Sequence, residues 1–170
     1  MKIAIVGFAL FLWSAFVMAA ESSQESVRKE IDSFMTAWHQ AAAVSNPAVY
    51  FGSMATDFVF LGTDAGERWT KDEFQKFAEP FFKRPSAWVF SAISRHISIS
   101  SDGQIAWFDE LLNSKSYWLT RGSGVLTRHD GQWKLEQYNM AFTIPNLSVN
   151  DIRPFIEKAF KDALPEHLEE

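Results

Sequence analysis

Residues Tyr117–Phe142, YWLTRGSGVLTRHDGQWKLEQYNMAF, decide how this chain folds. Two runs of alternating polarity flank Asp130-Gly131, a pair that tolerates the positive φ angles of a tight two-residue turn. Such a turn pairs His129 with Gln132, Arg128 with Trp133 and Leu126 with Leu135. Carried on without interruption, the same register sets Gly124 opposite Gln137 and Gly122 opposite Asn139. One face then collects Gly122, Gly124, Leu126, Trp133 and Leu135, together with Gln137 and Asn139. Arg121, Ser123, Lys134, Glu136 and Tyr138 go to the other. The first face holds the Trp, the Leu pair and the small residues, so it is the expected interior, with Gln137 and Asn139 as polar tips in an apolar cavity. A slip of one residue would exchange the two faces.

The same period of two extends upstream through Trp88–Ile99 and Ile105–Leu112, joined by a second Asp-Gly turn at Asp102-Gly103, and Asn113–Ser116 reads as a polar turn. Before Trp88 the period is helical. Ser22 and Glu25 suit a capping box, and Val27, Ile31, Phe34, Trp38 and Ala41 then recur on one face of a helix ending near Ser45. Asn46-Pro47 restarts a short helix, Phe58–Leu61 is an apolar strand, and Thr70 with Glu73 caps a helix carrying Phe74, Phe77 and Phe81. Beyond Pro145 a last amphipathic helix is capped near Asn150 and carries Ile152, Phe155, Ile156 and Phe160. Helices gathered before a meander predict an α+β fold. The expected form is a cone-shaped, curved antiparallel sheet with the N-terminal helices packed across its concave face and a pocket between the layers. Gly122 and Gly124 fit a bend or a close approach within that sheet.

With 170 residues the chain has room for one domain, and 47% apolar content excludes a disordered protein. A net charge of −5 argues against nucleic acid as a partner, and the lack of cysteine excludes disulfides, thiolate nucleophiles and zinc–thiolate sites. Residues 1–20 have the layout of a secretory signal: Lys2, an uncharged stretch from Ile3 to Met18, then Ala19-Ala20 before the polar Glu21-Ser22-Ser23. The expectation is a secreted protein, placed in a bacterial periplasm, with no membrane contact once the signal is removed. The folded domain is expected over residues 21–147, and a C-terminal amphipathic helix with a polar tail over 148–170.

Few residues offer chemistry. Asp109 and Glu110 are neighbours on a strand, so they point to opposite faces and cannot act as a paired acid and base. His39, His96, His129 and His167 are scattered without ligand spacing, so no metal site and no cofactor are expected. His39 is read as a solvated or core-edge histidine beside Trp38, where it could border a cavity. Ser123 lies between glycines in a strand, which is not the strand-to-helix elbow of a hydrolase nucleophile. Asp57 is read as a cap at the entrance of its strand. Trp69, Phe74, Phe77, Phe81 and Trp88 form a core-type aromatic set that can also line a pocket.

The order of elements, with Asp57–Gly62 (DFVFLG), Ala106–Glu110 (AWFDE), Arg121–Leu126 (RGSGVL), Asp130–Lys134 (DGQWK) and Gln137–Asn139 (QYN) followed by Pro145-Asn146, resembles the SnoaL-like family of the nuclear-transport-factor-two-like superfamily. The resemblance runs from about Ser26 to Asn146. It implies that Trp107, Asp109 and Leu111 face inward and Glu110 outward, where Glu110 would meet Arg121 in a structural ion pair or an interface. It also implies a homodimer through the outer face of the sheet. The acid–base set of the ketosteroid-isomerase relatives is not carried over, because Phe58–Leu61 is wholly apolar.

The preferred functional expectation is a cone that binds a small apolar or aromatic molecule, lined by Trp38, Trp69, Phe77, Trp107, Asp109, Gln137 and Asn139. Two alternatives stand beside it. One is an isomerase, cyclase, dehydratase or hydrolase in which Asp109 is the weak catalytic candidate, acting with Gln137 and Asn139. The other is a homodimeric structural or interaction module.

Overall fold

The computed structural model describes residues 24–163 of the 170-residue chain. The signal-like stretch 1–20, the Ser22 cap and His167 lie outside the described residues. Helix α1 (24–43) buries Ile31, Met35, Trp38, Ala41 and Ala42 on one face, as its apolar spacing predicts. Helix α2 (Pro47–Gly52) starts where Asn46 Oδ1 accepts the Val49 N–H at 3.2 Å, with Pro47 in the first turn. Helix α3 (Lys71–Phe82) opens on a full capping box: Thr70 Oγ1 accepts the Glu73 N–H, and Glu73 Oε2 accepts the Thr70 N–H at 2.8 Å.

Six strands form one curved, unclosed sheet: β1 (Met54–Leu61), β2 (Arg68–Thr70), β3 (Ser91–Ile99), β4 (Ile105–Ser114), β5 (Trp118–His129) and β6 (Gln132–Phe142). The strand order is β2-β1-β6-β5-β4-β3, with β1 and β6 parallel and every other pair antiparallel. This is the expected α+β cone, with α1 lying on the sheet face that also buries Phe108, Leu126 and Leu135. The short β2 is an element the sequence reading lacks, and Trp88–Phe90 form a loop rather than the start of β3. At the other end a 3-10 turn (Asn146–Ser148) leads into α4 (Val149–Ala163), so Asn150 lies inside the helix instead of capping it.

The β5–β6 ribbon both fulfils and breaks the expected register. Asp130 (φ 50°) and Gly131 (φ 80°) make the tight turn, and His129↔Gln132, Arg128↔Trp133 and Leu126↔Leu135 pair as expected. Then β6 carries one extra residue: Val125 pairs with Gln137, so Glu136 is a bulge. Beyond it Gly124 faces Tyr138 and Gly122 faces Met140. Tyr138 and Met140 therefore enter the core, while Gln137 is exposed and Asn139 lies on the outer face, partly covered. The expected inward placement of Gln137 and Asn139 is thus corrected by a single inserted residue, which reverses every side chain after it.

Strand β4 corrects a second expectation. Ala106, Phe108, Glu110 and Leu112 are buried, whereas Trp107 is half-exposed and Asp109 partly so. Pairing Phe108 with Gly124 and Glu110 with Gly122 fixes that choice, because cross-strand partners share a face. A Cβ on Gly122 would collide with the Tyr138 hydroxyl and come within 2.9 Å of Glu110 Oε1. On Gly124 it would sit 2.9 Å from the Phe108 ring. The two glycines clear the space that these interior side chains occupy.

Candidate functional site

The cone holds a cavity of about 650 Å³ between α1, α2, α3, β1, β2 and the loop after α3. Its wall is aromatic because the elements around it each present rings. Thr70 caps α3 so that Phe74, Phe77 and Phe81 recur along one side of the helix. Phe60 stacks on Phe74 with centroids 4.1 Å apart, and Trp69 on Phe77 at 4.5 Å. Trp38 stacks on Tyr50 at 4.7 Å and donates its Nε1–H to the Tyr50 carbonyl at 3.2 Å, which locks the indole in place. Trp88 closes the far side, 5.6 Å from Tyr50 and 5.9 Å from Phe81. Arg84, over the Phe81 ring at 4.7 Å, and Lys115 bring positive charge to the rim, with Glu67 the carboxylate there.

One imidazole reaches this cavity from the interior. His39, only 6% exposed, lines it and places Nε2 at 2.8 Å from Glu110 Oε1. Glu110, wholly buried, is the centre of a polar cluster. Tyr138 donates its hydroxyl to Oε1 at 2.9 Å, and Arg95 Nε donates to Oε2 at 2.8 Å with Nη2 2.7 Å from the same oxygen. Arg95 is anchored in turn by Asp32 on α1, through the carbonyl at 2.9 Å and Oδ1 at 2.6 Å. Burial pushes the Glu110 carboxyl up, but the hydrogen bond and charge of His39 and the Arg95 guanidinium outweigh it and hold the group below the usual carboxylate range. Burial, reinforced by the Glu110 charge and hydrogen bond, pushes the Tyr138 phenol well above its ordinary value. The cluster is an ionised carboxylate whose two oxygens both meet donors, the condition under which a buried charge persists.

The structure separates the expected site residues into two groups. Trp38, Trp69 and Phe77 line the cavity. Trp107, Asp109, Gln137 and Asn139 do not; they lie on the opposite face of the sheet, for the register reasons above. Arg121 meets Asp109, not Glu110, at 3.4 Å on the exposed surface, so the Glu110–Arg121 pair is corrected to Asp109–Arg121 outside and Glu110–Arg95 inside. His39 is buried and bonded rather than solvated. Asp57 is exposed, and Ser123 sits on the outer face. Among the described residues no three His, Asp or Glu side chains converge as a metal ion would need.

Sequence reasoning missed Arg95, and it put Glu110 and Tyr138 on the wrong face of the sheet. Only Tyr138 had a usable signal: Trp133, Leu135, Tyr138 and Met140 are spaced two, three, two, and the three marks the bulge. Glu110 finds partners 71, 15 and 28 residues away, which no local spacing reports.

An open cone of helices on a curved sheet, with a pocket between them, is the architecture of the nuclear-transport-factor-two-like superfamily. The model of the SnoaL-like domain family matches residues 31–145, and the chain belongs to that family. Solved structures agree on the fold. A protein of unknown function from Pseudomonas putida superposes with a TM-score of 0.61 at 16% identity, over 72% of this chain and 90% of that one. A candidate scytalone dehydratase from Novosphingobium aromaticivorans gives 0.59 at 13% identity, over 75% and 89%. A candidate ketosteroid isomerase from Parabacteroides distasonis gives 0.54 at 19% identity, over 68% and 86%. No curated protein sequence matches the chain significantly. At these identities the likeness concerns fold, since one fold hosts many chemistries.

Proposed function

We propose that the chain binds a small apolar or aromatic molecule in the cone. The observation that carries this reading is the cavity of about 650 Å³ walled by Trp38, Phe74, Phe77 and Trp88. That volume lies within the roughly 300–1,000 Å³ of small-molecule sites, and such sites are mostly apolar with a few placed polar groups. Stacked rings offer flat surfaces that a planar ligand can extend. The candidate isomerase and dehydratase among the structural relatives are consistent with a pocket that receives a small organic molecule. A site built on Asp109, Gln137 and Asn139 is not part of the proposal, because those groups face away from the cavity.

Titration with 2-methylnaphthalene, read by quenching of tryptophan fluorescence, tests the reading. Saturable quenching that Phe77→Asp weakens at least tenfold supports it; Phe77 is 44% exposed at the mouth, so this variant is expected to fold. Quenching that is unsaturable, or equal in the variant, would contradict it.

Two further readings complete the proposal. Residues 1–20 are a secretory signal, which gives the protein a place in a bacterial periplasm. The outer sheet face joins two copies of the chain, a reading favoured by Trp107, a large aromatic side chain left half-exposed on that face. Light scattering is expected to report a dimer that Trp107→Lys converts to monomer; a monomeric parent chain would remove this reading.

A further inference from the structure

His39 is the one titratable side chain that both belongs to the buried cluster and borders the cavity. Its two ring nitrogens have different situations. Nε2 lies 2.8 Å from a carboxylate oxygen, so it carries the hydrogen and donates it. Among the described residues nothing pairs with Nδ1, and in the neutral ring that nitrogen bears the lone pair. Three donors fix Glu110: His39, Tyr138 and Arg95. The carboxylate therefore cannot rotate away, and the imidazole tautomer is set from behind. A carboxylate held behind an imidazole orients the ring and stabilises the imidazolium formed when the other nitrogen takes a proton.

We propose that His39 Nδ1 is a proton-accepting position on the wall of the cavity, that Glu110 is its positioning residue, and that the ligand is an aromatic molecule bearing an acidic hydroxyl, a phenol or an enol. The inference rests on the cavity reading above and adds the polar group that the ligand must carry. In the first stage the ligand O–H donates to Nδ1. In the second the O–H bond breaks and an Nδ1–H bond forms, leaving a phenolate or enolate oxygen against an imidazolium whose Nε2–H remains on Glu110. One proton moves, and no other reactant is needed. Tyr138 does not compete for this role, since its hydroxyl is already donated to Glu110 and burial disfavours its ionisation. The Trp38 and Tyr138 rings lie 5.1 and 6.2 Å from the imidazole, and a hydrogen bond made in such apolar surroundings is stronger than one in water.

The probes are 1-naphthol and its methyl ether, alike in shape except that the ether has no proton to give, at about pH 8, where the free naphthol is un-ionised and a free imidazole is neutral. The parent chain is expected to bind the naphthol about tenfold tighter than the ether and to raise the near-ultraviolet absorption band of its naphtholate. His39→Phe keeps a ring of similar size and leaves Glu110 with Arg95 and Tyr138. In this variant the two affinities are expected to become equal and the naphtholate band to disappear. Glu110→Gln can still accept from Nε2 but carries no charge, so it is expected to keep the preference for the naphthol and lose the band. Should His39→Phe fail to fold, nitrogen NMR on the parent chain decides: the naphthol is expected to shift the His39 Nδ1 resonance and the ether to leave it unmoved. Equal affinity of the parent chain for both probes would overturn the proton-accepting role while leaving the cavity reading intact. A preference that survives in His39→Phe would do the same. Binding of neither probe would overturn both.

Discussion

Asp109 and Glu110 are adjacent in sequence and belong to different worlds. Asp109 looks out from the sheet and meets Arg121 at 3.4 Å in solvent, with about half of each side chain exposed. Glu110 looks in, is wholly buried, and is bound by His39, Arg95 and Tyr138. The chemistry of the two side chains is the same, so everything that separates them comes from the side of the pleat. Water screens the outer pair and repays little for holding it together. The inner carboxylate lost its water on folding and depends on every protein donor around it. For this reason the functional interest of the sheet lies with the residue that the resemblance placed outside.

Replacement of the inner carboxylate is the strongest way to break the contrast. Glu110→Ala removes the buried acceptor shared by His39, Tyr138 and Arg95, leaves Arg95 only its contacts with Asp32 and Thr36, and is expected to cost about 3–5 kcal/mol in urea unfolding. A loss below about 1 kcal/mol would mean that the cluster is not built as described. The same group sets an acid dependence. Its carboxyl is held down in the folded chain, so the unfolded chain takes up the proton first as pH falls. The stabilisation is then complete above the ordinary glutamate value of about 4.3 and is lost as pH drops through the lower folded value. Unfolding curves between pH 5 and pH 2 are expected to fall less steeply for Glu110→Gln than for the parent chain; parallel curves would contradict this.

Gly122→Ala tests the space rather than the charge. Its new methyl meets the Tyr138 hydroxyl and Glu110 Oε1, both held from other sides, and overpacking of that kind costs about 2–3 kcal/mol. Tyr138→Phe removes one donor from Oε1 while leaving His39 and Arg95, for an expected loss of about 1.5 kcal/mol. At the small end, Asp109→Asn is expected to change stability by less than about 0.5 kcal/mol, because its partner is exposed. An effect as large as that of Tyr138→Phe would abolish the distinction between the two faces.

What could be read from the chain divides along physical lines. Local devices were legible: the Asp130-Gly131 turn with both φ angles positive, the Asn46 cap, and the Thr70–Glu73 box each depend on residues within three positions of one another. The family and the cone followed from their order. Facing was the weak point, because it depends on counting residues without error along a strand, and on β6 only the three-residue step from Leu135 to Tyr138 marks the change. Glu136 inserted itself into the count with no glycine or proline to announce it, and Gln137 and Asn139 changed places with Tyr138 and Met140. On β4 the two alternating sets each contain one carboxylate, and only the pairing of Glu110 with Gly122 and the reach of Arg95 from β3 decide between them. The aromatic wall was legible as a collection of rings, whereas the choice of Trp69 and Phe77 over Trp107 needed the fold.

The occupancy of the cone itself can be located by diffraction from crystals soaked in 1-bromonaphthalene, whose bromine gives an anomalous signal. A single strong peak among Trp69, Phe77 and Trp88, within the cavity, is the expected result. A peak only beside Trp107 on the outer face, or none in the cavity at saturating probe, would contradict the claim that this interior receives an aromatic guest.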